Sequence, residues 1–87
     1  MGWQSGEGRL ISEGRTVLNS DQIVLERGAP QRATRWHAYM AINGRKIARL
    51  DRRHPVVLEL DDGRRGWFFV TSQSSGFLSL RSCGRFR

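Results

Sequence analysis

Short runs in which apolar residues recur at every second position dominate this chain. The clearest are Gln22–Arg27 and Phe77–Ser82, and Arg9–Glu13 is a shorter β-like run. A period of two is typical of a β-strand with one buried face. Glycine or acidic and polar turn residues separate the runs, and signals for helices are almost absent. The pattern therefore predicts an all-β fold.

Two glycine-containing turns predict hairpins in the second half of the chain. The first turn, Asn43-Gly44, lies between the runs Arg35–Ile42 and Arg45–Leu50. Asn-Gly tolerates the two positive φ angles of a type I′ turn, and a two-residue loop there would place Met40 opposite Ile47. Neither face of this hairpin is purely polar, which suits a curled barrel or sandwich better than an open sheet.

The second predicted hairpin joins Val56–Leu60 to Arg64–Thr71 through Asp62-Gly63. A two-residue loop pairs the apolar residues of the two strands in register. We expect four of them to face each other in pairs and to form the densest part of the core: Leu58 with Trp67, and Val56 with Phe69.

About six strands without a crossover helix predict an antiparallel meander that closes into a small barrel of SH3-like or OB-like type. The alternative is a compact β-sandwich. A length of 87 residues predicts a single domain, residues 1–87. Residues 1–8 and 83–87 are expected to be frayed termini.

The net charge of the chain indicates which kinds of partner the protein would bind. Lys+Arg number 15 and Asp+Glu 8, giving a net charge of +7, and Lys46 is the only lysine. Arginine offers a planar fork that binds phosphate or carboxylate at two points and stacks on aromatic rings. An arginine-rich, basic protein of this kind suits either a nucleic acid or an acidic protein surface.

Other functional classes find little support in the sequence. Cys83 is the single cysteine, and with only His37 and His54 beside it we expect no disulfide, no metal site and no cofactor. No nucleophile elbow or zinc-protease spacing occurs, and Asp61-Asp62 precedes a glycine, which favours turn chemistry over catalysis. The chain is therefore predicted not to be an enzyme. No run reaches the roughly 18 apolar residues of a membrane span and no secretory signal opens the chain, so we expect a cytoplasmic protein without a membrane partner.

Arginines and aromatic residues alternate around the first predicted hairpin and the corner after it. In barrel-type binders of single strands, arginines follow the phosphates and exposed aromatic rings stack on bases. The leading hypothesis is a module that binds single-stranded DNA or RNA. The alternative is a small accessory or inhibitor protein, as phages and mobile elements encode, that docks on an acidic protein. Both hypotheses use the same candidate residues: Arg32, Arg35, Trp36, Tyr39, Arg49, Arg52 and Arg53.

Overall fold

The computed structural model describes residues 3–27, 36–42, 50–74 and 76–84. They form six strands: β1 (Trp3–Ser12), β2 (Arg15–Arg27), β3 (Trp36–Ala41), β4 (Val56–Leu60), β5 (Arg65–Gln73) and β6 (Phe77–Ser82). All neighbouring strands are antiparallel, and the sheet closes in the order β1-β2-β3-β6-β5-β4. The predicted all-β barrel is confirmed, and its small size is consistent with the SH3-like or OB-like class. The described ranges contain no helix, and therefore no helix that could span a membrane.

The barrel consists of two three-stranded meanders rather than one continuous meander. Strands β1 to β3 form the first, and β4 to β6 form the second. Pairing of β4 with β1 and of β6 with β3 joins them at both seams. The consecutive strands β3 and β4 are therefore not neighbours, and closure gives β1 and β3 a partner on each side.

Alternate side chains of each strand point into the barrel and form one core. Phe68 is the largest side chain that is fully buried. Its neighbours in the core are aliphatic or methionine side chains from all six strands, together with Ile42 just after β3: Leu10, Leu18, Ile23, Leu25, Ala38, Met40, Ile42, Val56, Leu58, Leu60, Val70, Leu78 and Leu80. Burial of this apolar surface is the main force that holds the closed sheet together.

The predicted pairing of β3 with the run Arg45–Leu50 is wrong because both edges of β3 are already paired. Tyr39 lies opposite Val24 of β2 on one side and opposite Ser79 of β6 on the other. No edge of β3 remains for that run. The turn at Asn43-Gly44 and residues 45–49 lie outside the described residues. Long-range pairing instead places β3 between β2 and β6, with apolar residues of both strands beside it.

The hairpin of β4 and β5 exists, but its loop has three residues instead of two. Leu60 donates its N–H to the carbonyl of Arg64 at 2.8 Å, and Gly63 donates to the carbonyl of Leu60 at 3.0 Å. Gly63 has a φ of 95°, which glycine adopts without strain. This is a type I turn followed by a left-handed residue, a common three-residue hairpin loop.

The longer loop shifts the register by one residue and reverses the faces of β5. Val56 pairs with Phe68, and Val57 pairs with Trp67. Val56 is buried as predicted, and so is Leu58, but Phe68 occupies the core in place of the predicted Trp67 and Phe69. Trp67 is 54% exposed and Phe69 is half-buried on the outer surface. A one-residue slip moves every side chain of a strand to the other face.

Strand β1 begins at Trp3, and residues 3–6 and Gly8 pair with β2, so this segment is not a frayed terminus. Its hairpin with β2 turns through Glu13-Gly14, whose φ angles are 53° and 77°. Positive φ at both loop residues is the type I′ geometry that the sequence suggested for Asn43-Gly44. Residues 83–84 follow the last strand, and 85–87 lie outside the described residues.

A bulge near Gly8 bends β2 around the barrel. Gly6 pairs with Ile23 and Gly8 pairs with Ser20, so β2 carries one extra residue there. The buried hydroxyl of Ser20 accepts the N–H of Gln22 at 3.2 Å and lies 3.0 Å from the carbonyl oxygen of Ala41. A Cβ at Gly8 would collide with the carbonyl oxygen of Glu59. The close approach of β1 and β4 therefore requires glycine at this position.

The register of β5 predicts opposite costs for two adjacent aromatic residues. Phe68→Ala should lower the free energy of unfolding by about 3–5 kcal/mol, because it empties the core. Trp67→Ala should cost about 1 kcal/mol or less, because that ring is largely outside it. Urea unfolding followed by circular dichroism measures both. A larger loss for Trp67→Ala than for Phe68→Ala would show that the faces are reversed.

The close approach at Gly8 predicts a second pair of unequal variants. Gly8→Ala should destabilise the protein by about 1–3 kcal/mol, because backbone must move to admit the methyl group. Gly6→Ala, two residues away in the same strand, meets nothing within 4 Å and should change stability by about 0.5 kcal/mol or less. Thermal unfolding of the two variants tests this, and equal midpoints would contradict the tight packing of β1 against β4.

Candidate functional site

The outward-pointing residues of β3, β6 and β5 form one continuous surface, because these three strands are adjacent in the barrel. Six of them, four aromatic and two basic, lie next to one another. We call this surface the aromatic face and define it by Tyr39, His37, Phe77, Arg81, Phe69 and Trp67.

The strand register makes these side chains neighbours. Tyr39 lies opposite Ser79, so Phe77 and Arg81, each two residues from Ser79, are its diagonal neighbours. Directly opposite residues on adjacent strands have Cβ atoms about 5 Å apart, and diagonal ones about 7–8 Å apart. Arg81 is directly opposite His37 on one side and Phe69 on the other. The arginine thus lies among aromatic rings.

The aromatic face carries the exposed aromatic rings of the described residues. Tyr39 is 38% exposed, Phe77 47% and Trp67 54%, and these are the large hydrophobic residues that the described part of the chain exposes. All three belong to the aromatic face. Single exposed apolar residues are ordinary, but a contiguous group is typical of a surface that binds something.

The aromatic face also lacks negative charge. Strands β3, β5 and β6 contain no Asp or Glu, since the acidic residues lie on β1, β2, β4 and in turns. Arg9 is paired with Glu59, with its Nε 2.9 Å from the carboxylate, and Arg64 is paired with Asp62 at the same distance. Among the described residues, Arg81 has no such ion pair. Its positive charge is therefore available to a ligand.

A basic corner, residues 51–54, borders this face. Leu50 donates its N–H to Gln73 at 3.1 Å, and Val56 pairs with Phe68, so both ends of the connecting segment contact β5. Arg52 and Arg53 between them are exposed, and the Arg53 side chain has 90% of its surface accessible. The corner therefore lies beside β5, the strand at one side of the aromatic face.

Asp51 fixes the shape of the basic corner. Its carboxylate accepts the N–H of Arg53 at 2.8 Å and lies 2.8 Å from Nδ1 of His54. The hydrogen bond from Arg53, followed by that from His54, holds the pKa of Asp51 below its ordinary value. Because this pKa is lowered in the folded protein, the contribution to stability is present at neutral pH and is lost as the pH falls through the lowered pKa.

The structure brings together only some of the residues that the sequence proposed. Tyr39 lies on the aromatic face, and Arg52 and Arg53 lie in the basic corner beside it. Trp36 points inward, is half-buried and packs against the core, so Trp36 and Tyr39 occupy opposite faces of β3. Its backbone N–H bonds to the hydroxyl of Ser82 at 2.8 Å. The other three candidates, Arg32, Arg35 and Arg49, lie outside the described residues.

Besides His37, four residues of the face are absent from the candidates that the sequence proposed. Phe77 and Arg81 alternate with the buried Leu78 and Leu80, so the pattern of β6 already indicated that they point outward. The sequence does not indicate which way Trp67 and Phe69 point, because they belong to four consecutive apolar residues that do not alternate with polar ones. Their orientation depends on the hairpin register.

Elsewhere, the described chain offers little catalytic or metal-binding chemistry. A cleft between residues of β1 and β2 and those just after β3 and β4 is lined mainly by acidic and small residues, including Glu7, Asp21 and Asp61. No group of three or more His, Cys, Asp or Glu residues within the described ranges is placed to hold a metal ion. Comparison of the chain with known protein families, curated proteins and solved structures finds no match.

Proposed function

We propose that this protein is a non-enzymatic module that binds single-stranded nucleic acid on the aromatic face. The observation that carries the proposal is the grouping of three exposed aromatic rings with an unneutralised arginine on a surface without acidic residues. Every base has a flat π-face, and stacking on an aromatic side chain is worth about 1–3 kcal/mol per base. Tyr39, Phe77 and Trp67 offer such stacking positions.

The shape of the surface favours unpaired bases over a duplex. The aromatic face is the outside of a closed barrel and is therefore convex. A duplex hides the flat faces of its bases in the stack and offers only their edges in the grooves. Rings such as Phe77 and Trp67 can stack only on bases that are already unpaired and splayed out.

The basic corner supplies the electrostatic part of binding. Arg52 and Arg53 stand at the border of the face, where the backbone of a strand lying across the rings would pass. The net charge of +7 adds long-range attraction for any polyanion. Affinity from the corner should therefore depend on salt, while affinity from the rings should not.

An acidic protein partner is the second candidate function. Aromatic residues and arginine are the types most often found at energetic hot spots of protein interfaces, and both are concentrated on this face. The same residues would then contact carboxylates and apolar side chains. The two proposals can be distinguished because only the first requires the protein to bind an oligonucleotide.

Removing a ring from the face should weaken binding without changing its salt dependence. Tyr39→Ala and Phe77→Ala should each reduce the affinity for a labelled dT12 strand by roughly 5- to 100-fold, the equivalent of one stacked base. Tyr39→Phe keeps the ring and should bind like the parent protein. Fluorescence anisotropy at several salt concentrations measures both quantities. Unchanged affinity in the two alanine variants would refute stacking on this face.

Reversing the charge of the basic corner should distinguish phosphate binding at the corner from the general attraction between a basic protein and a polyanion. The double variant Arg52→Glu/Arg53→Glu should bind more weakly and should lower the slope of log affinity against log salt by roughly 0.7 for each phosphate that the corner no longer neutralises. The control, Arg64→Glu/Arg65→Glu, has the same change in charge at the tip of the β4–β5 hairpin, where Asp62 and Glu59 already pair with these arginines.

Similar salt slopes for the two double variants would mean that the corner does not bind phosphates specifically. If the parent protein binds no oligonucleotide near physiological salt, the proposal of a nucleic-acid ligand fails. The acidic protein partner then becomes the leading candidate.

A further inference from the structure

Arg81 occupies a different position from the other arginines of the described chain. It is exposed at the middle of the aromatic face, directly opposite Phe69 on one side and His37 on the other. Strands β3, β5 and β6 provide no carboxylate to pair with it. Within the described ranges no ion pair or hydrogen bond engages its guanidinium fork, which can make two hydrogen bonds with a ligand.

The location of Arg81 decides which part of a nucleic acid it would contact. A base stacked on Phe69, directly opposite, or on Tyr39, its diagonal neighbour, would lie beside Arg81, whereas the arginines of the basic corner border the face. A donor that lies among stacked bases contacts their edges, and donors at the border contact phosphates. Arg81 is therefore placed for base recognition.

The fork of arginine matches the Hoogsteen edge of guanine. Guanine presents two adjacent acceptors, N7 and O6, on its Hoogsteen edge, and a two-point contact with arginine is the commonest base-specific contact in complexes with DNA. Adenine replaces one of these acceptors with an amino donor, and cytosine and thymine lack N7. We propose that Arg81 binds N7 and O6 of a guanine stacked on Phe69, so that the aromatic face prefers guanine-containing strands. This inference rests on the proposed function.

The test uses strands that differ at one central base. A labelled dT8 strand is compared with strands in which guanine, adenine, cytosine or 7-deazaguanine replaces one central thymine. Guanine should bind about fivefold or more tightly than adenine, since both are purines with similar stacking surfaces. Replacing N7 by carbon in 7-deazaguanine should remove most of this preference.

Two variants connect the preference to Arg81. Arg81→Lys keeps the positive charge and loses the planar fork, so it should bind all strands with nearly equal affinity. Arg81→Gln provides a second, uncharged replacement with the same expected loss. Arg15→Lys, at an exposed position of β2, is the matched control and should keep the preference for guanine. Circular dichroism and thermal unfolding verify that each variant is folded.

The possible results separate this inference from the proposed function. Equal affinity of the parent protein for guanine and adenine strands, or a preference that persists in both Arg81 variants, overturns base reading by Arg81. So does cytosine binding as tightly as guanine. Binding of dT8 in the same titrations would still support the proposed function. If no strand binds at all, both proposals fail.

Discussion

Gly63 closes the loop between β4 and β5 with a positive φ, and its N–H bonds to the carbonyl of Leu60. This one turn sets the register of β5 against β4. The register places Phe68 in the core and leaves Trp67 and Phe69 outside. With a loop one residue shorter, Phe68 would be the ring on the surface. The composition of both the core and the aromatic face therefore depends on this hairpin.

Closure of the barrel requires polar contacts as well as apolar burial. Ser20 stabilises the bulge of β2 and connects it to β3, and Ser82 accepts the N–H at the start of β3. Gln73 holds the segment that leads into β4. All buried side-chain nitrogen and oxygen atoms in the described ranges have a hydrogen-bond partner. These hydrogen bonds fix the ends of the strands that carry the aromatic face.

The distribution of charge over the barrel separates two kinds of arginine. Arg9, Arg64 and Arg65 lie near carboxylates of β4 and its loop, and these pairs are exposed and contribute little to stability. Arg81 lies on the strands that carry no acidic residue. Arg81 therefore has no carboxylate partner among the described residues, and it lies diagonally beside the exposed ring of Tyr39.

The sequence by itself determined the local features of this protein. Its period-two runs and turns specified the all-β class, the strands β4 to β6 and the burial of Val56 and Leu58. The pattern of β6 also placed Phe77 on the outside. The sequence did not determine which strands pair with β3, because Asn43-Gly44 is compatible with a hairpin but does not require one. It also did not determine whether Asp62-Gly63 closes a two- or a three-residue loop, because its local chemistry fits both loops. The strand pairing and the loop length depend on burial of Phe68, Met40 and their neighbours against strands that are distant in the chain. Only the tertiary structure therefore decided that Trp67 is exposed and that Trp36 is packed against the core.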